Sequence, residues 1–258
     1  MYLKNINFAK YSSIKVGQPI DLLMIEKDDV IPKDRVIIGG ANNLLVSANP
    51  PPLMMLSKDF NIIYQKDNML YIGASTKSGQ ILSYVKKHNI GGFEFLSKLP
   101  GTLGGIIAMN AGVKEYEIFN ILDSIKINNQ WIKVTNIDYG YRYARLNGVV
   151  TMARFKLKEN FDTILLNQLI SLRSNQPKEP SAGSIFKNPV NYHAGKLIED
   201  AGLKGYQKGN MQISNIHSNF LVNLDRGIFD DALYLIDLIQ YEVKKRFEIE
   251  LKIELKIL

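Results

Sequence analysis

Residues 178–190 (KEPSAGSIFKNPV) constrain the fold of this chain more than any other segment. A proline near each end lacks a backbone N–H and fixes φ, so a regular helix is unfavourable between them. Gly183 permits a tight turn directly before Ser184, and the sequence therefore predicts a rigid loop with an exposed hydroxyl. Lys187 and Asn188 add an ammonium and a carboxamide. These groups suit a reaction on a polar, anionic substrate, although a solvated surface turn explains the same residues.

Composition narrows the classes of function. The chain has 258 residues, 46% hydrophobic and 22% charged, which is an ordinary globular mixture with room for two or three domains. The absence of cysteine excludes disulfides, thiolate catalysis and cysteine-bound metals. A net charge of +7 favours partners that carry phosphate, such as dinucleotides and nucleotide-sugars. No arginine-rich stripe, helix-turn-helix or zinc pattern is present, so nucleic acid is not expected.

The apolar runs are all short. The first residues lack the apolar core of a secretory signal, and no run approaches eighteen apolar residues, so no membrane span is predicted. These features and the absence of cysteine predict a cytoplasmic protein.

Two glycine-rich segments are candidates for phosphate binding. Residues 39–44 follow a short β-branched run, and residues 91–112 hold six glycines and one proline. Glycine lets backbone N–H groups approach a phosphate chain without a Cβ atom in the way. The first segment is not a GxGxxG motif, and no helix pattern follows it, so a Rossmann site is disfavoured. Structural turns between buried strands would have the same composition.

Periodicity predicts the regular elements. The predicted helices cover residues 78–89, 162–176, 193–205 and 229–247. The predicted strands cover 69–74, 149–158, 220–223 and 248–258, with a hairpin at 121–127 and 130–134. Within YGYRYAR, Arg142 alternates with tyrosines and is either presented to a cleft or packed on a surface strand. Glu254 lies among lysines on the polar face of the last strand and alone would be a solvated residue. His217 is expected to be a hydrogen-bonded structural residue.

Several motifs together resemble one family. They are GGANNLLV (39–46), PGTLGGIIAMNAG (100–112), YGYR (139–142), PSAGSIFKNP (180–189), HSNFLVN (217–223) and IELKIE (249–254). In this order and at these spacings the chain resembles the UDP-N-acetylenolpyruvoylglucosamine reductases, and its compactness resembles their shorter subclass. The resemblance extends over nearly the whole chain.

The resemblance implies an α+β fold. It consists of an FAD-binding fold of the vanillyl-alcohol-oxidase type with two α+β subdomains, followed by a C-terminal α+β substrate-binding domain. The implied boundaries are residues 1–68 and 69–160 for the two subdomains, 161–177 for a connecting helix, 178–247 for the substrate domain, and 248–258 for a strand that returns to the first subdomain.

The resemblance also implies an activity. NADPH reduces a non-covalently bound FAD, which then reduces the enolpyruvyl group of UDP-N-acetylglucosamine enolpyruvate to give UDP-N-acetylmuramate for peptidoglycan synthesis. Arg142, Ser184 and Glu254 match the family's catalytic residues, and Lys187 and Asn188 fall where the family binds substrate. The implied partners are a small nucleotide-sugar and NADPH, and the protein is expected to be a monomer without a metal.

Family motifs also supply the expected FAD contacts. These are Gly39, Gly40, Ala41, Asn42, Asn43, Leu44, Pro100, Gly101, Thr102, Gly104, Gly105 and Asn110. The sequence departs from the family at Ala41, where a glycine is usual. It also departs at Lys252 and Ile253, where a Glu-Pro pair is common, so Glu250 remains an alternative to Glu254.

Two other functions stay open at this point. A flavoenzyme of the same fold that oxidises an alcohol or a sugar would not need the arginine, serine and glutamate set. A non-catalytic protein that binds flavin or nucleotide-sugar would show no turnover.

Overall fold

A computed structural model describes all 258 residues. The helices are α1 (Phe8–Tyr11), α2 (Ser78–Lys87), α3 (Leu103–Ala108), α4 (Thr163–Leu172), α5 (Ala194–Asp200) and α6 (Phe229–Phe247). The strands are β1 (Tyr2–Asn7), β2 (Pro19–Ile25), β3 (Val36–Ile37), β4 (Leu44–Leu45), β5 (Leu53–Leu56), β6 (Ile63–Lys66), β7 (Met69–Gly73), β8 (Gly112–Val113), β9 (Tyr116–Glu117), β10 (Leu122–Ile127), β11 (Gln130–Lys133), β12 (Tyr139–Gly140), β13 (Tyr143–Ala144), β14 (Val150–Lys156), β15 (Ser181–Ser184), β16 (Gln207–Lys208), β17 (Met211–Ile213), β18 (Phe220–Asn223) and β19 (Lys256–Ile257). The expected α+β class is confirmed.

The chain divides into two compact units. The first unit comprises residues 1–4, 22–40 and 52–174, and the second comprises residues 5–21, 41–51 and 175–258. The domain boundaries implied by the family resemblance stay a prediction. No helix in either unit is both long enough and apolar enough to cross a membrane.

A five-stranded antiparallel sheet organises the first unit, in the order β11-β10-β14-β7-β6. The central strand β14 buries Ala153 and Phe155 completely, while Arg154 and Lys156 lie on its other face, as the alternation predicts. Helices α2 and α3 contribute to the same apolar core. In a smaller sheet, β5 lies between β2 and β3 and pairs in parallel with both.

The hairpin between β10 and β11 is confirmed in detail. Its two turn residues, Asn128 and Asn129, have φ angles of 50° and 62°. Two successive left-handed residues form the turn that best matches the twist of paired strands, and asparagine tolerates this conformation.

The second unit is built on the antiparallel sheet β15-β18-β17-β16 and on α6. The long helix buries Leu235, Ile236, Ile239 and Val243, as its periodicity predicts. Gly202 follows the last turn of α5 with φ at +76°, a left-handed conformation in which glycine commonly ends a helix. Strand β19 pairs in parallel with β4.

Two predictions of regular structure are wrong. The glycine-rich segment 91–112 was expected to be a loop, but it contains α3, whose Leu103, Ile106 and Ile107 are buried at helical spacing. Two glycines in six residues concealed this helix, since glycine is a weak helix former. Residues 249–257 form a regular strand only at β19, although Leu251 and Leu255 are buried as the alternation requires.

Candidate functional site

A strained turn presents Arg142 in the first unit. Strands β12 and β13 pair directly, which leaves Tyr141 and Arg142 as the two turn residues. The φ angle of Arg142 is +59°, a conformation that destabilises a side-chain-bearing residue by about 1–2 kcal/mol. Backbone strain of this kind persists only where surrounding contacts determine the conformation, and it is common at functional sites.

The guanidinium of Arg142 is held from several sides. It donates to the backbone oxygens of Gly112 at 3.1 Å and Asn110 at 3.4 Å, and it lies 3.6 Å from a carboxylate oxygen of Glu117. The Tyr141 ring adds a cation–π contact at 5.0 Å. Only 18% of the arginine side chain is exposed. The guanidinium of Arg142 is therefore a fixed, half-buried cation packed against a tyrosine. Its presentation to a cleft stays a prediction.

Asn110 connects the elements around this arginine. Its side chain is fully buried and donates to Glu117 at 2.7 Å and to the Gly140 oxygen at 3.1 Å, while its own oxygen accepts from the Phe119 N–H at 3.3 Å. Both N–H groups of the carboxamide are thus used within the protein. Its expected contact with FAD stays a prediction. Asn110 also orients the carboxylate that faces Arg142.

Sequence reasoning missed Glu117. This residue lies in β9 directly opposite Gly112 of β8, whose missing side chain allows the two strands to approach; a Cβ atom there would lie 2.1 Å from the Tyr116 oxygen. No local pattern distinguishes Glu117 from a surface glutamate. Its role depends on partners 7 and 25 positions away in the chain.

Ser184 occupies the end of β15 in the second unit. Gly183 precedes it with φ at +81°, as the sequence predicts for a turn that only glycine adopts easily. Ser184 pairs with Phe220 of β18. The residue is half-buried, and its hydroxyl has no hydrogen-bond partner within the chain. That hydroxyl is therefore available to a ligand.

A buried carboxamide holds the backbone after Ser184. The oxygen of Asn219 accepts from the Phe186 N–H at 3.0 Å, and its nitrogen donates to the Phe186 oxygen at 2.8 Å. We call this pair of bonds the Asn219 clamp. The neighbouring His217 accepts from the Asn219 N–H at 3.3 Å, and burial lowers the pKa of its imidazole, so the expected structural role of His217 is confirmed.

Glu254 lies beside the same strand. Its backbone N–H donates to the Ile185 oxygen at 2.8 Å, and its backbone oxygen accepts from Asn43 at 3.0 Å. Ile253 forms a bridge with Phe186. Glu254 is half-buried whereas Glu250 is exposed, which favours Glu254 as the functional carboxylate.

The two predicted substrate-binding residues continue the loop. The backbone N–H of Lys187 donates to the Lys252 oxygen at 2.9 Å. The oxygen of the Asn188 side chain accepts from the Ala194 N–H at 3.0 Å, at the start of α5. The carboxamide nitrogen of Asn188, which is the donor of the group, takes no part in this bond with α5.

A cleft in the first unit is lined by residues of both predicted glycine-rich segments. Its cavity volume is about 120 Å³, smaller than the roughly 300–1,000 Å³ typical of complete small-molecule sites, so the cleft would take only part of a large cofactor. Its lining includes Ile38, Gly39, Ala74, Thr102, Gly104 and Gly105. A Cβ atom on Gly39 would lie 2.5 Å from the Thr102 hydroxyl oxygen, and one on Gly104 would lie 3.3 Å from Ala74. Apolar walls and bare backbone fit a flat, phosphate-bearing cofactor.

Gly40 belongs to the first unit, as Gly39 does, whereas residues 41–44 of this segment belong to the second unit. Ala41 is buried with φ at +49°, a left-handed conformation that explains why a glycine is usual there. Asn42 donates to the Ser13 hydroxyl at 2.5 Å, and Asn43 binds Glu254 as described. Pro100 and Gly101 precede α3 in the first unit, where Gly101 has φ at +144°.

The structure thus distributes the predicted residues over both units. Ser184, Glu254, Lys187 and Asn188 lie in the second unit, while Arg142, Asn110 and the cleft lie in the first. A further arginine, Arg173, was not singled out from the sequence. It follows α4 directly, and burial together with the charge of Arg142 lowers the pKa of its guanidinium.

Comparison with known proteins gives one consistent result. A family model described as "UDP-N-acetylenolpyruvoylglucosamine reductase, C-terminal domain" matches residues 176–258. Proteins named UDP-N-acetylenolpyruvoylglucosamine reductase from Helicobacter hepaticus and Campylobacter jejuni are 45% and 43% identical to this chain. The alignments cover 98% of the chain in both cases, and 98% and 99% of those proteins.

A solved structure agrees over the full length. The UDP-N-acetylenolpyruvylglucosamine reductase of Thermus caldophilus superposes with a TM-score of 0.85 at 28% identity. The superposition covers 100% of this chain and 99% of that protein. The agreement therefore includes both units.

Proposed function

Since the chain belongs to the UDP-N-acetylenolpyruvoylglucosamine reductase family, we propose that it reduces the enolpyruvyl group of its nucleotide-sugar substrate with electrons that NADPH delivers through a non-covalently bound FAD. The protein is an oxidoreductase of peptidoglycan precursor synthesis, and its fold combines an FAD-binding part with a C-terminal domain. The main support for the proposed residue roles is Arg142, which matches the family's catalytic arginine in its motif. Its backbone is strained, and its side chain is held by several contacts.

FAD fits the cleft by two criteria. The walls are largely apolar, and the glycines at positions 39, 104 and 105 bring backbone to the surface of the cleft. These residues and Thr102 would hold the cofactor, with further contacts proposed from residues 40–44, Pro100, Gly101 and Asn110. When bound, FAD would supply hydride to the terminal methylene carbon of the substrate.

Arg142 binds the substrate carboxylate. Negative charge grows on this group as hydride is added to the neighbouring double bond, and a cation that is already in place stabilises it without reorganisation. A guanidinium donates two parallel hydrogen bonds to a carboxylate. The strained turn and the Glu117 contact fix the orientation of these donors. In its protonated form, Glu254 donates to the same carboxylate.

Ser184 supplies the second hydrogen. Hydride and proton together reduce the carbon–carbon double bond, and the proton must reach the carbon that bears the ether oxygen. A positioned hydroxyl can donate to a developing carbanion and recover its proton from water. The Asn219 clamp holds Phe186, two residues after this hydroxyl, and Lys187 and Asn188 bind the polar remainder of the substrate.

The test of this function uses the purified protein. We expect it to be yellow, to release unmodified FAD on heat denaturation, and to oxidise NADPH only while UDP-N-acetylglucosamine enolpyruvate is converted to UDP-N-acetylmuramate. Mass spectrometry identifies the product. Peroxide formation from an alcohol or sugar without consumption of NADPH would indicate the oxidase alternative, and FAD binding without turnover would indicate a binding protein.

The finer organisation is part of the same proposal. We propose subdomains at residues 1–68 and 69–160, a connecting helix at 161–177, a substrate domain at 178–247 and a returning strand at 248–258. We also propose that the protein acts in the cytoplasm, because both of its proposed substrates are water-soluble phosphates. We propose in addition that it is a monomer. Sedimentation at micromolar concentration measures the oligomeric state.

A further inference from the structure

The five-stranded sheet of the first unit has one face that is turned away from α2 and α3, and we call it the outer face. Ala153 and Phe155 of β14 lie in the core with these helices, so Arg154 between them points outward. Residues directly opposite each other on paired strands share a face. The outer face therefore contains a row across all five strands, in the order Lys133, Ser124, Arg154, Tyr71 and Tyr64.

Three aromatic rings of the outer face contact one another, and we call them the aromatic cluster. The Tyr64 and Tyr71 rings stack with their centroids 4.9 Å apart. Trp131 meets Tyr71 edge-on at 5.8 Å, and the guanidinium of Arg154 lies over the Trp131 ring at 5.3 Å. Trp131 is still 39% exposed. Because each ring is already held by a neighbour, a partner that covers this cluster orders few additional side chains.

Positive charge surrounds the aromatic cluster. The strand positions of the outer face hold no acidic residue, and the neighbouring Asp123 already pairs with Arg154 at 2.7 Å. Four lysines lie on this face without an ion pair: Lys66, Lys126, Lys133 and Lys156. A surface with this excess of positive charge is complementary to a negatively charged partner.

The composition of the outer face matches a protein partner better than a nucleic acid. Single-stranded nucleic acids stack their bases on open aromatic rings, whereas here one side of each ring is already covered by a neighbour. Protein interfaces are enriched in Trp, Tyr, Met and Arg, and Met69 and Met152 add adaptable apolar contacts to this face. A second copy of the chain is disfavoured, because two cationic faces repel each other.

We propose that the outer face is a docking surface for an acidic protein segment that carries an aromatic or aliphatic side chain among its carboxylates. The exposed part of Trp131 contacts that apolar side chain, and the surrounding lysines attract the carboxylates. None of the aromatic rings or lysines of the outer face lines the cleft assigned to the cofactor. Docking is therefore a property of the protein beyond its proposed reaction.

Fluorescence can test this surface directly, because Trp131 is the only tryptophan of the chain. The probe is a short synthetic peptide of Glu and Asp residues around one Phe and one Leu, titrated into the flavin-loaded protein. We expect a saturable change in tryptophan emission and about tenfold weaker binding in 0.5 M than in 0.05 M potassium chloride. The same peptide with Gln and Asn in place of its acids should bind about tenfold more weakly.

Charge reversal on the outer face should weaken binding of the acidic peptide. Lys133→Glu combined with Lys156→Glu changes two exposed residues of this face, and we expect about tenfold weaker binding. Lys86→Glu combined with Lys87→Glu is the matched control, since both lysines are exposed at the end of α2 and the net charge changes equally. The control should bind the peptide within about twofold of the unmodified protein.

Replacement of the tryptophan tests the apolar part of the contact. Trp131→Ala should bind the acidic peptide about tenfold more weakly in titration calorimetry, since buried tryptophans are frequent hot spots of interfaces. NADPH oxidation by this variant and by the charge-reversed variants should match that of the unmodified protein. This result separates the inference from the proposed function, which fails through absent FAD or absent NADPH oxidation in the unmodified protein.

Other outcomes overturn the inference. Absence of saturable binding by the acidic peptide, or equal weakening by the two charge-reversed pairs, would show that the outer face has no specific role. Tighter binding of oligothymidylate than of the acidic peptide would identify a nucleic-acid surface. A dimer in sedimentation that Trp131→Ala dissociates would identify a second copy of the chain as the occupant.

Discussion

Two regions of this molecule position their functional groups by different means. Around Arg142, side chains fix the functional group: a carboxylate, a buried carboxamide and an aromatic ring surround the guanidinium. Around Ser184 and Glu254, backbone bonds and the Asn219 clamp align the strands, while the Ser184 hydroxyl has no partner in the chain. The first region holds a charge in place, and the second holds a hydroxyl in place, which we propose to be the proton donor.

The two regions should respond differently to substitution and to ionic strength. A charge held by other charges and dipoles responds to ionic strength and to each neighbouring group. A hydroxyl held by its backbone responds to deletion of the oxygen itself or to loss of the packing behind it. Substitutions in the two regions should therefore leave distinguishable kinetic and thermodynamic signatures.

The largest effect should come from Ser184→Ala. Reduction of the flavin by NADPH requires no proton at a substrate carbon, so flavin bleaching should stay near normal. Reoxidation by the substrate should slow by roughly two to four orders of magnitude, the usual contribution of a positioned general acid. Stopped-flow absorbance separates the two half-reactions. Ser181→Ala, in the same strand, is the control. Equal slowing of both half-reactions would make Ser184 a structural residue.

Removal of the clamp should have the next largest effect. Asn219→Ala leaves the N–H and oxygen of Phe186 without partners in a buried environment. Each unpaired buried group destabilises by about 1–3 kcal/mol, so we expect a loss of about 2–4 kcal/mol in the free energy of unfolding.

Urea denaturation measures this loss, and turnover of the surviving folded protein shows whether β15 has moved. Asn215→Ala removes one exposed side-chain bond and serves as the control. Unchanged stability of the Asn219 variant would show that Phe186 finds other partners. Unchanged turnover would show that the clamp does not position Ser184.

Local sequence signals account for much of the fold and for part of the site. The turn at Asn128 and Asn129, the buried stripe of α6 and the C-terminal glycine of α5 all follow from residues close together in the chain. Helix α3 was not predicted because its two glycines obscure the helical spacing of its three buried apolar residues. The Ser184 turn was recognisable because glycine and flanking prolines mark it directly.

The supporting residues were not recognisable for a different reason. Asn219 and Phe186 are 33 positions apart, Glu117 and Arg142 are 25 apart, and no periodicity connects either pair. The repulsion between Arg142 and Arg173 also exists only in the folded chain. Sequence motifs mark the residues that perform chemistry more readily than those that hold them.

The arginine region can be tested through its carboxylate. Glu117→Gln removes the charge that faces Arg142 but keeps an oxygen for the Asn110 bond. The ion pair is largely buried, and we expect a loss of about 1–2 kcal/mol in unfolding free energy together with a severalfold drop in turnover. The loss should shrink in high salt, because anions can replace the missing carboxylate.

Urea denaturation at 0.05 M and 1 M potassium chloride measures this dependence. Glu115→Gln, two positions away and exposed, is the control. The Asn219→Ala variant should show no comparable salt dependence, since no charge is removed there. If both variants respond equally to salt, the distinction between the two regions does not hold.

The smallest effect concerns Ala41, which carries backbone strain in the second unit as Arg142 does in the first. Its φ angle of +49° disfavours alanine by about 1–2 kcal/mol, while glycine adopts it freely. Glycine also loses more conformational entropy on folding, about 0.5–1 kcal/mol relative to alanine. Ala41→Gly should therefore raise the free energy of unfolding by up to about 1 kcal/mol, which urea denaturation measures. Ala108→Gly, in α3 with ordinary helical φ, should lower it by about 1 kcal/mol. A loss of stability in both variants would show that the backbone at Ala41 is not strained.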